Sequence, residues 1–193
     1  MHKAHSTGGF WLILGALLLA ASLRVLFWFF VASVVHELGH WAMVRTLGGR
    51  VGGFSLTGTG AVIRPSRERL FSYGEECLVA LAGPMASFLL AILAGIWGTR
   101  FGSADAYLLT GVSLALGLFN LLPMGPLDGG RTVRAALSWL LGPDRGDRLS
   151  GGLGKAAAVG LAGAGAWILL HGGSFTFLLF ALWLLLWREG RDG

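Results

Sequence analysis

Val34-Val35-His36-Glu37-Leu38-Gly39-His40-Trp41 sets two imidazoles and a carboxylate into a segment otherwise apolar enough to cross a membrane. On a helix, residues four apart lie one above the other on a single face, so His36 and His40 can grip one metal ion. Glu37 sits one position on, close to that ion but turned aside. This suits a general base acting on water activated by the metal better than it suits a third ligand. Two imidazole nitrogens favour zinc, which has no directional d-electron demands and activates water without redox chemistry. The rival reading is a chance match on a buried helix. Ionisable groups within a membrane span are costly and mark functional sites, which weighs against packing as their reason.

Working outward, Val25 to Leu47 reads as a full span that Gly48-Gly49 ends. The metal motif lies in its latter half, nearer Arg45 and Arg50. From Arg50 to Pro65 the chain turns Gly-rich, with Phe54-Ser55-Leu56-Thr57 and Ala61-Val62-Ile63 as short strand candidates. A β-hairpin or a re-entrant loop is expected there, against an ordinary surface loop. A strand edge there could hold an extended peptide segment by β-augmentation. Ser72-Tyr73-Gly74-Glu75 is a capping-box signature that opens a span reaching Trp97. Within it, Ala82-Gly83-Pro84-Met85-Ala86-Ser87 joins a proline kink to small residues that permit close helix approach, and reads either as a plain packing kink or as a direct part of the active site. After the short turn 100–105, another span runs from Ala106 to Leu122.

That span ends in the second constellation, Asn120-Leu121-Leu122-Pro123-Met124-Gly125-Pro126-Leu127-Asp128-Gly129-Gly130. Its prolines stop a regular helix, and its two final glycines let the backbone turn sharply after Asp128. Broken, polar backbone at membrane depth is tolerated only where protein or a water-filled cavity satisfies it. Asp128 is the candidate third metal ligand, or the N-cap of the amphipathic stretch Arg131 to Leu141, or both. Asn120 is a candidate donor to an oxyanion, or a hydrogen-bonding partner for a neighbouring helix. Gly142-Pro143 ends the amphipathic helix, and a charged loop is expected through Arg148.

Flanking elements complete the layout. Phe10 to Ser22 is a thin or tilted first span, roughly 20 Å long at 1.5 Å per residue, with a signal peptide as the rival. An Ala- and Gly-rich fifth span runs from Lys155 to Leu170, and a sixth from Phe175 to Trp187. The expected fold is therefore all-α and polytopic, one membrane-embedded domain of about six transmembrane helices over residues 1–193. Neither a PDZ-like insertion nor another soluble regulatory domain is expected.

Composition agrees with that class. Hydrophobic residues make up 54%, charged residues only 13%, and mean hydropathy is +0.69, which leaves no room for a sizeable soluble domain. The net charge of +5 would fit nucleic acid, but topology accounts for it. With six spans, every Lys and Arg except Arg24 and Arg100 falls on one side, so the positive-inside rule puts both termini in the cytosol. The spans bearing His36, His40 and Asp128 then both run inward, which brings all three towards the cytosolic face of a multi-pass cell-membrane protein. The single Cys77 cannot form an internal disulfide.

His36-Glu37-Leu38-Gly39-His40, the later Asn120-Leu-Leu-Pro-x-x-Pro-Leu-Asp128-Gly-Gly and the Ala-Gly-Pro segment between them resemble the site-2 protease family of intramembrane zinc metalloproteases. The compact layout is similar to that family's bacterial sporulation branch. The resemblance covers most of residues 24–140. It implies that His36, His40 and Asp128 bind Zn2+, that Glu37 is the catalytic base, and that Asn120 assists the substrate or the oxyanion. It also implies a transmembrane protein as substrate, cleaved in or beside its membrane segment, such as a pro-sigma or an anti-sigma factor. Many relatives place an Asn where this chain has Ser87, so no catalytic role is carried to that residue. Membrane-protein regulators and homo-oligomers fit the same reading, whereas nucleic acid does not.

Two alternatives belong to other classes. A metal transporter would distribute polar residues along a path through several spans, whereas here they cluster at one depth. A catalytically silent relative that sequesters transmembrane segments would have no need of an intact Glu37.

Overall fold

The computed structural model describes residues 22–49, 51–57, 60–65 and 71–172. The expected spans 10–22, but for Ser22, and 175–187 lie outside the described residues. The element order is α1 (Leu23–Thr46), β1 (Val51–Thr57), β2 (Gly60–Pro65), α2 (Tyr73–Phe101), α3 (Ala104–Asn120), α4 (Asp128–Leu141) and α5 (Pro143–Leu170).

Three of these helices, α1, α2 and α5, are long and apolar enough to cross a membrane. The 24 residues of α1 extend about 36 Å at 1.5 Å per residue, more than a ~30 Å hydrocarbon core requires. By the same measure the 17 residues of α3 reach only about 25 Å. It stops at Asn120 rather than Leu122, before the run of prolines that cannot continue it. Helix ends follow local chemistry. Ser22 Oγ accepts from the Val25 N–H at the start of α1. At its end Gly48 takes a φ of 75°, the left-handed conformation that glycine adopts without strain. At the start of α2, Glu75 Oε2 accepts from the Ser72 N–H at 2.8 Å while Ser72 Oγ accepts from the Glu75 N–H, a reciprocal capping box.

The strands β1 and β2 pair antiparallel, with Phe54 opposite Ile63 and Leu56 opposite Ala61, and an irregularity between Val51 and Gly53. They adjoin α1.

The charged stretch 143–148 is not a loop. It forms the opening turns of α5, because Pro143 has a preset φ and no N–H to waste at N1, and Asp144 lies in the first turn where the helix dipole favours a negative charge. Gly142, at φ 84°, makes the break from α4. Arg134 Nε then donates to Asp147 Oδ1 at 2.8 Å, tying α4 to α5 on an exposed face.

Burial is inverted relative to a water-soluble domain. The buried hydrophobic residues are mainly small (Ala32, Ala80, Ala91, Ala94, Ala106), while Phe30, Leu89, Ile92, Leu93 and Trp97 face outward. Water drives large apolar groups inward, but lipid tails are as apolar as leucine, so close helix approach through small residues dominates instead. This is a membrane protein. The chain forms two compact units, one holding α1, the strands, α2 from Leu81 on and α3 as far as Phe119, the other holding Ser72–Ala80 and the chain from Asn120.

Candidate metal centre

In the first unit, α1 carries His36, Glu37 and His40. Both histidines are buried, 4% and 7% exposed, in a helix whose other residues are mostly apolar. Their rings stand edge to face with centroids 5.0 Å apart, and their Nε2 atoms approach to 3.3 Å. Two ligands of a tetrahedral zinc, each about 2.05 Å from the ion, lie about 3.3 Å from one another. The pair therefore already has the spacing that the ion requires. Glu37 is partly exposed on the adjoining face of the same helix.

Helix α2 closes the other side of the pair. A Cβ on Gly83 would sit 2.2 Å from His40 Nε2 and 2.7 Å from His36 Nε2. A methyl group cannot occupy that place, so Gly83 lets the two ring edges lie directly against the backbone of α2. One turn further along α2, Ser87 is fully buried and its Oγ lies 2.9 Å from His36 Nδ1. On α1, Gly39 permits this approach: a Cβ there would meet the Ala82 carbonyl oxygen at 2.5 Å and the Ala86 Cβ at 2.7 Å. The glycine within the histidine motif thus serves helix packing, and the glycine of the Gly-Pro motif serves the histidines.

In the second unit, Asp128 is the first residue of α4 and is 7% exposed. It is not the N-cap, a position that falls to Leu127 without any side-chain capping bond. Its backbone carbonyl accepts from Thr132 Oγ1 at 2.8 Å, and its carboxylate lies 3.6 Å from Arg131 Nη1. Gly129 and Gly130 follow for a reason other than the sharp turn expected. Neither has a positive φ. A Cβ on Gly129 would fall 2.1 Å from the Leu121 carbonyl oxygen, and one on Gly130 would fall 2.0 Å from that of Met124. The proline-broken segment folds back as a tight turn, closed by Leu127 N–H donating to Met124 O at 2.9 Å, and the start of α4 rests directly on its backbone. Asn120 is the last residue of α3 and is partly exposed.

Each of His36, His40 and Asp128 offers one ligand atom of the kind a metal ion takes. Two buried imidazoles with convergent nitrogens, backed by a glycine notch, fit zinc well. The sequence offers the segment holding Gly83 either as a packing kink or as part of the active site, and it gives Ser87 no catalytic role. Neither carries a local signal of its purpose, since what each touches lies on another helix.

Comparison with known proteins agrees with this chemistry. Residues 102–161, which include Asn120 and Asp128, match peptidase family M50. The chain is 33% identical over 135 residues to the zinc metalloprotease MJ0392 of Methanocaldococcus jannaschii, an alignment covering 67% of this chain and 39% of that protein. It is 35% identical over 152 residues to Rip3 of Mycobacterium tuberculosis, covering 75% of this chain and 35% of the relative. The chain thus spans less than half the length of these curated relatives. A solved structure, the site-2 protease from Methanocaldococcus jannaschii, superposes with a TM-score of 0.70 at 27% identity, covering 96% of this chain and 90% of that one. Histidine motif, Asp-Gly-Gly motif, fold and relatives concur, and the chain belongs to the site-2 protease family, peptidase family M50.

Proposed function

We propose that this protein is an intramembrane zinc metalloprotease that hydrolyses a peptide bond in or next to a transmembrane segment of another membrane protein. The observation that carries the reading is the buried pair of imidazole nitrogens 3.3 Å apart, in a helix apolar enough to cross a bilayer. His36, His40 and Asp128 would hold the ion, three protein ligands being the number that leaves a catalytic zinc one open position. Zinc bound there supplies Lewis acidity, polarising the scissile carbonyl and lowering the pKa of water to about 7.

The remaining work falls to the chain. Glu37, partly exposed beside the ligands, accepts the proton of the attacking water and passes it to the leaving amine. Asn120, at the end of α3, donates a hydrogen bond to the oxyanion that develops on the substrate carbonyl. A substrate helix hides its backbone in internal hydrogen bonds, so it must unwind locally before entry, and an extended segment then has the β1–β2 hairpin available as a sheet edge. The arrangement in the membrane is six spans, counting 10–22 and 175–187, with both termini and the active site towards the cytosol. The positive-inside distribution of Lys and Arg supports it. Pro-sigma and anti-sigma factors are candidate substrates.

The test compares new protein N-termini released from membranes of cells expressing wild type or Glu37→Gln at equal expression and equal zinc content. Products present only with wild type, mapping within or beside a transmembrane segment, are expected. Equal products with zinc bound in both would point to a silent, sequestering relative. Zinc flux in sealed vesicles would point to a transporter.

A further inference from the structure

We propose that Ser87 is a positioning residue for the metal ligand His36. A neutral imidazole carries one N–H and one bare nitrogen, and only the bare one can bind a metal. Which nitrogen is bare depends on what the other one meets. His36 Nδ1 meets Ser87 Oγ at 2.9 Å, while His36 Nε2 faces His40 Nε2 and the Gly83 notch. With Nδ1–H donating to the serine oxygen, the lone pair is left on Nε2, the nitrogen that faces His40 Nε2, and the ring is held against rotation about its Cβ–Cγ bond. Ligating histidines usually rest on a carboxylate or a backbone carbonyl. Here a hydroxyl from a neighbouring helix performs that task, which accounts for a serine that is 0% exposed between two apolar helices.

A packing explanation competes, because Gly83 and Ser87 lie one turn apart and small residues so spaced let helices approach. The two explanations differ in what Ser87→Ala does. Alanine keeps the small volume and removes only the oxygen.

The inference rests on the zinc-site reading, and its test needs no proteolytic activity. The full chain in the Glu37→Gln background is purified in detergent, its zinc dissociation constant is measured by chelator competition, and the visible absorption spectrum is recorded after substitution with Co2+. Ser87→Ala should weaken zinc binding ten- to a hundredfold and alter the cobalt spectrum, while the melting temperature of the zinc-free protein stays unchanged. Ser87→Thr or Ser87→Asn, which restore an acceptor, should recover most of the affinity. Zinc affinity within twofold of the parent for Ser87→Ala would overturn the proposal. So would equal losses in all three variants accompanied by a lowered zinc-free melting temperature, which is the signature of packing. A parent that binds no zinc overturns both this inference and the reading beneath it. An otherwise wild-type chain that binds zinc without cleaving any protein overturns only the proteolytic reading.

Discussion

The two glycine-bearing motifs of this protein use the same residue to admit different neighbours. Between α1 and α2, Gly83 faces the imidazoles of His36 and His40, and what its missing side chain leaves is room for the two ring edges. At the start of α4, Gly129 and Gly130 face the carbonyl oxygens of Leu121 and Met124, and what they leave is room for backbone. One motif makes room for side chains and the other for backbone. An imidazole can turn about its side-chain bonds when crowded, whereas a peptide carbonyl within a closed turn cannot yield without breaking the turn. A single added methyl group therefore has different consequences in the two places.

The largest effect is expected from Gly130→Ala. A Cβ 2.0 Å from the Met124 oxygen forces the 121–127 turn away from α4. The cost should be about 3 kcal/mol or more, at or above the upper end of overpacking penalties. Thermal unfolding and yield in detergent should both fall sharply, with zinc content lost as a secondary result. A variant that folds normally with full zinc would mean that the turn is looser than the close approach implies, and that the comparison between the motifs fails at its first step.

Gly83→Ala should spare the fold and lose the metal. The new methyl group would occupy the place 2.2 Å and 2.7 Å from the two Nε2 atoms, so the histidines can be displaced but cannot share an ion around it. Zinc stoichiometry after dialysis should drop from near one to near zero, while the zinc-free melting temperature stays within a few degrees of the parent. Equal loss of fold and metal would make this glycine a packing residue like Gly39, whose Cβ would strike the Ala82 carbonyl oxygen.

How much of this could be read from the sequence follows from the distance over which each signal acts. His36 and His40 were legible because a spacing of four is a property of one helix. The capping box at Ser72 and Glu75 was legible for the same reason, and so was the glycine ending of α1. Asp128 stood out by its setting, but its place at the first helical position instead of the N-cap depended on the turn before it. Gly129 and Gly130 read as conformational in the sequence, since a sequence displays a glycine's freedom and not its neighbours. Ser87 could not be assigned, because its partner is 51 residues away and the pairing depends on the register of α1 against α2. The stretch 143–148 looked like a loop through its density of charge. Pro143 at N1 and the Arg134–Asp147 pair let the same charges line an exposed helical face.

The smallest effect, and the sharpest control, is Gly111→Ala in α3. Nothing lies within 4 Å of where its Cβ would be, and its φ is not positive. Here the substitution has no side chain to displace and no backbone to strike, so only the intrinsic preference of the helix remains. Alanine is favoured over glycine in a helix interior by about 0.5–1 kcal/mol, and the variant should be slightly more stable than the parent, with zinc content unchanged. The same chemical change would then lose the fold at residue 130, lose the metal at residue 83 and gain a little at residue 111. Stability loss from Gly111→Ala would have a different meaning: α3 would be packing this face against something in the membrane, either a second copy or residues outside those described. A dependence of that loss on protein concentration in detergent would identify the second copy.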